Sequence, residues 1–138
     1  MLRELIGYIL QRSAGETLRV MNDANLSMPQ MVTLHMLRKC GPFTISVLAE
    51  RLRLSLAATS HLVERMVQLG FVARTEDASD RRQKQLALTP AGHALIDRLV
   101  AARLAETDPI LTSLPDDLRE QLEGVLELVL AQLRLDTV

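Results

Sequence analysis

Tryptophan is absent from this 138-residue sequence, which holds one tyrosine and two phenylalanines. Its core must therefore be aliphatic, built from Leu, Val, Ala and Met. A single cysteine, Cys40, excludes an intrachain disulfide and a cysteine-based zinc cage. No apolar run approaches the roughly 18–20 residues of a membrane span, and the N-terminus lacks a signal-peptide pattern. A reducing cytoplasm is the expected compartment. There is no Gly-rich phosphate loop, no nucleophile elbow and no acid–base pair away from solvated helix faces, so neither an enzyme nor a cofactor is expected. His35, His61 and His93 stand far apart without a His-x-x-x-His pair, and no metal site is expected.

What is present points to one folded domain over 1–138. Apolar residues reach 48% and charged residues 24%, enough for a core and for solubility together. The formal charge of −1 hides an asymmetry. Residues 1–92 carry 12 Lys/Arg against 8 Asp/Glu, whereas 93–138 carry 4 against 9. The basic front points to a polyanion and the acidic back to some other surface.

Apolar residues recur at helical spacing from Leu2 to about Val20, with Gly7 and Gly15 as weak points. Ser27 and Gln30 have capping-box spacing around Pro29, opening a helix that Gly41-Pro42 stops. Thr44 can cap a helix over Ile45–Leu52, and Ser55 a second over Leu56–Leu69, with Val63 and Met66 inward. Only Arg53 and Leu54 lie between them, the spacing of a helix-turn-helix. Phe71–Thr75 and Lys84–Leu88 flank a polar turn and read as a hairpin, a wing in that position. Thr89-Pro90 launches a helix expected to end near Asp108-Pro109. A last helix from Leu114-Pro115 carries a stripe of Leu118, Leu122, Val125, Leu126, Val129, Leu130 and Leu133, wider than a lone surface helix needs. That stripe invites a partner subunit.

The residues that carry a family resemblance are Thr44-Ile45-Ser46-Val47-Leu48-Ala49-Glu50-Arg51-Leu52 and the run from Leu62 to Arg74. They continue in Asp77-Ala78-Ser79-Asp80-Arg81-Arg82 and Leu86-Ala87-Leu88-Thr89-Pro90-Ala91-Gly92. An Arg closing one strand, a D-x-x-D-R-R turn and an L-T-x-x-G exit resemble the MarR family of winged helix-turn-helix transcriptional regulators. The resemblance implies a mainly α fold with a small β-hairpin wing. A winged helix-turn-helix would occupy 27–92, and dimerisation helices 1–24 and 90–136. It implies a homodimer on a pseudo-palindromic operator, acting as a repressor relieved by a small molecule.

A recognition helix needs small or hydrogen-bonding side chains where it enters the major groove. Ser55, Ala57, Ala58, Thr59, Ser60 and His61 meet that need, with Ala57, Ser60, His61 and Glu64 outward. Arg65, Arg74 and Lys84, with Arg51 and Arg53, are candidate phosphate contacts. By similarity to the family, Arg82 enters the minor groove, Asp80 braces the wing tip and Arg81 meets phosphate or solvent. On the same analogy an effector would lie between the dimer helices and the winged helix, near Tyr8, Arg12, His35 and Met36. Cys40 is expected to be inert, because redox-sensing members place their reactive cysteine near the N-terminus. The rival reading is a winged-helix protein-interaction module that no longer binds DNA.

Overall fold

Local capping signals set most of the helix boundaries in the computed structural model, which describes residues 2–12, 15–76 and 84–135. The order is α1 (Leu2–Arg12), α2 (Gly15–Asp23), α3 (Met28–Cys40), β1 (Phe43–Thr44), α4 (Ile45–Leu52), α5 (Leu56–Gln68), β2 (Val72–Glu76), β3 (Lys84–Leu88), α6 (Pro90–Thr112) and α7 (Asp116–Leu135). The mainly α fold with a β-hairpin wing is observed.

The chain divides into two compact units, one over 17–102 and one formed by 1–16 with 103–138. In the first, the Gln30 side-chain oxygen accepts the Ser27 N–H at 2.8 Å, and Pro29 sits in the first turn, where a missing N–H costs nothing. Gly41 ends α3 at φ 74, a backbone conformation that favours glycine. Thr44 Oγ1 accepts the Val47 N–H at 3.3 Å. Against expectation, the residues before that cap form a strand. β1 pairs antiparallel with β3, Phe43 opposite Leu86, giving a three-stranded sheet in the order β1-β3-β2. Two residues are too few to show an alternating pattern in sequence.

Leu34, Leu48, Val63, Met66 and Leu86 are wholly buried at the centre of this unit, joined by Val20, Met21, Leu37, Phe43, Val72, Leu95, Ile96 and Leu99. The exit from the wing is fastened to the end of α5. Thr89 Oγ1 donates to the Gly70 carbonyl at 2.6 Å and accepts the Gly92 N–H at 3.0 Å, while the Thr89 N–H reaches the Phe71 carbonyl at 3.1 Å. Gly92 is buried directly beneath that carbonyl, where a β-carbon would overlap it.

Two helix boundaries differ from those read in the sequence. The expected helix over 2–20 is two helices, α1 and α2, the second beginning at Gly15 and running on to Asp23. α6 does not stop at Asp108-Pro109 but passes through Pro109 to Thr112. The ring removes one donor, yet Ala105, whose carbonyl loses its partner, is exposed to water, and the helix ends three residues later.

In the second unit, no described residue with an assigned exposure is buried. Apart from half-buried Leu122, the stripe along α7 lies open to solvent within its own chain. Leu118, Val125, Leu126, Val129, Leu130 and Leu133 are each about half exposed, and Leu128 is 74% exposed.

Candidate nucleic-acid interface

α4 and α5 are held at a tight corner by three residues. Arg53 adopts the left-handed conformation at φ 54, ψ 43, and its N–H donates to the Glu50 carbonyl at 3.2 Å while that of Leu54 reaches Ala49 at 3.0 Å. A non-glycine residue bears a steric penalty there, offset by the helix-end carbonyls that the turn satisfies. Ser55 then caps α5, its Oγ accepting the Ala58 N–H at 3.2 Å.

The face of α5 follows from its phase. Thr59, Val63 and Met66 point inward and are wholly buried, so residues half a turn away point out. Ser55, Ala57, Ser60, His61, Glu64 and Arg65 are all exposed. One residue departs from the sequence reading. Thr59 is not available to a ligand, because it is inside and its Oγ1 donates to the Ser55 carbonyl at 2.9 Å. Leu56, which residue type alone would place in a core, is 58% exposed at the first helical position.

Ala57, Ser60, His61, Glu64 and Arg74 line a recess of about 280 Å³. Arg74 reaches it from β2. In the register of the sheet, Val72, Arg74 and Glu76 oppose Leu88, Leu86 and Lys84. Arg74 thus shares a sheet face with buried Val72 and Leu86, and its stem leaves the core edge towards α5. Its guanidinium donates to Glu64 Oε2 at 3.0 Å. The phosphate contact expected of Arg74 therefore has a competitor inside the chain. Sequence reasoning did not pair these residues, which lie ten positions apart on different elements.

Lys84 is exposed at the start of β3 and, with Thr44, Ile45 and Ser46, lines a second recess of about 390 Å³. Arg53 is exposed, and the Arg51 guanidinium lies over the Phe43 ring at 5.4 Å from its centre. Asp80, Arg81 and Arg82 fall outside the described residues. Tyr8 is exposed on α1, and the Arg12 side chain is likewise outside the description. His35 is exposed and Met36 half-buried on α3 of the 17–102 unit, whereas Tyr8 and Arg12 belong to the other unit. Cys40 is a free, exposed thiol at the end of α3. Among the described residues no group of three His, Cys, Asp or Glu could hold a metal ion, and no helix is long and apolar enough to cross a membrane.

Residues 26–84, which span the helix-turn-helix and reach β3, match the model of the MarR family. The HTH-type transcriptional regulator YsmB of Bacillus subtilis (strain 168) is 28% identical over 116 residues, covering 84% of this chain and 77% of YsmB. The HTH-type transcriptional repressor MdtR of the same organism is 30% identical over 97 residues, covering 70% of this chain and 63% of MdtR. In fold, the chain superposes on the crystal structure of the S. aureus MepR–DNA complex with a TM-score of 0.71, at 20% identity and coverage of 96% and 97%. The family match covers the helix-turn-helix and β2, and the chain belongs to the MarR family of winged helix-turn-helix transcriptional regulators.

Proposed function

We propose that this protein is a homodimeric repressor that binds a pseudo-palindromic DNA operator through α5 and the wing. The observation that carries the reading is the exposed row of small and polar side chains on α5, Ala57, Ser60 and His61, with Arg53 and Arg65 exposed at its margins. Small side chains let a helix backbone approach base edges, and flanking cations engage phosphates. Support also comes from MdtR, named a repressor, and from MepR, solved with DNA. Ser55, Ala57, Ser60 and His61 would meet the major groove, and Arg65 and Lys84 the backbone. Arg82 would enter the minor groove, with Asp80 and Arg81 beside it at the wing tip.

The dimer reading rests on the unit in which no described residue with an assigned exposure is buried. Helices cannot be held in place without burying an apolar face, since ordering them costs about 1–2 kcal/mol per residue in backbone entropy. The α7 stripe lies uncovered, and a second copy supplies a matching stripe by symmetry. Two heads so joined would address half-sites about one helical turn apart. A small-molecule effector would relieve repression by binding one arrangement of the two heads better than the other.

Selection of bound duplexes from a random pool at two salt concentrations tests the reading. Enrichment of a pseudo-palindrome that fades at the higher salt is the expected result, because neutralised phosphates release counterions. A stable dimer that enriches nothing at either salt would refute operator binding and leave the winged helix as a protein-interaction module.

A further inference from the structure

We infer that the recognition face selects thymine methyl groups through Leu56 and Ala57 rather than guanine edges. The inference rests on the DNA-binding reading above and extends it to the class of half-site recognised.

The residues that read bases by paired hydrogen bonds are Arg or Lys for guanine and Asn or Gln for adenine. From Ser55 to Glu64, the turns of α5 that enter a groove first, the sequence contains none of these four types. The polar groups that are there are mostly engaged. The Ser55 hydroxyl caps the helix, Thr59 is buried on the Ser55 carbonyl, and Glu64 holds Arg74. Ser60 and His61 remain, and neither presents the planar fork of neighbouring groups with which Arg, Asn or Gln reads one base edge by two bonds.

The helix instead opens on apolar surface. Leu56, in phase with Thr59 but ahead of the core at the first helical position, is 58% exposed, and Ala57, next in sequence, is exposed and lines the recess. Helix stability does not ask for leucine there, since polar residues serve an exposed first turn as well. The thymine C5-methyl is the apolar group that the major-groove edges of B-DNA present. Arg53, three residues before Leu56, and Arg65 are exposed and fit the phosphates on either side of such a contact. An apolar pair framed by cations matches a thymine-bearing duplex better than an apolar protein partner, which would leave those charges beside a desolvated surface.

The test compares full-length protein on its selected duplex and on the same duplex with deoxyuridine at every half-site thymine. Uracil keeps each hydrogen-bonding group and removes only the methyl. The selected half-sites should carry thymine, and the uracil duplex should bind about fivefold or more weakly. Leu56→Ser and, as a second variant, Ala57→Ser should each shrink the thymine-to-uracil ratio while the dimer stays folded by circular dichroism. Equal affinity for the two duplexes would overturn the inference and leave operator binding standing. A thymine preference unchanged in both variants would overturn the assignment to these residues. Failure to bind any duplex would overturn the inference together with the proposed function.

Discussion

Gly92 on α6 and Phe71 after α5 approach so closely that a β-carbon on Gly92 would overlap the Phe71 carbonyl oxygen. The oxygen belongs to backbone already bonded to the Thr89 N–H, so it cannot yield as a side-chain tip would. Gly92→Ala should destabilise the 17–102 unit by about 1–3 kcal/mol through overpacking, read as a lower midpoint in denaturant unfolding. An unchanged midpoint would mean that α6 shifts freely against the wing exit.

Glu64 engages the one guanidinium that β2 brings to the recognition face. Replacing it by glutamine removes the charge that competes with DNA phosphate for Arg74. Glu64→Gln should tighten duplex binding severalfold and steepen the fall of log affinity with log salt by about one unit per added phosphate contact. Titration across a salt series reads both. Weaker binding with a flatter slope would show that the carboxylate itself contacts a base.

Arg82→Ala should weaken operator binding by about 1–3 kcal/mol in a protein that remains a folded dimer. Competition between duplexes that differ only at the minor-groove step beneath the wing would show whether sequence preference moves with affinity.

The α7 stripe offers a direct test of assembly. Leu126→Glu combined with Leu130→Glu places charge on two half-exposed positions of the α7 stripe, outside the 17–102 unit. Sedimentation should show the unsubstituted protein at twice the mass of the 15.4 kDa chain and the double variant at a single copy. A variant that still sediments as a dimer would place the interface elsewhere.

The features legible in the sequence are those decided within a few residues. Ser27 with Gln30, Thr44, Ser55 and Thr89 announced helix starts because a cap needs only its own first turn, and the structure places each as expected. Long-range relations were not legible. β1 exists because β3 offers Phe43 and Thr44 an open edge. Arg74 meets Glu64 because sheet register and helix phase bring them together. Thr59 looked like a reader of bases by its chemistry, and only its phase with Val63 and Met66, recoverable from the spacing, puts it inside. Pro109 misled by residue type, since a proline near an exposed helix end interrupts little.

Outside 17–102 no described residue with an assigned exposure is buried in its own chain, and on the dimer reading mass action governs these helices. Their melting temperature should climb with protein concentration, whereas a self-sufficient fold would melt at the same point at every dilution. In a cell, the supply of this regulator would then set how much of it is structured enough to act, and a falling supply would silence the remaining copies more than proportionally.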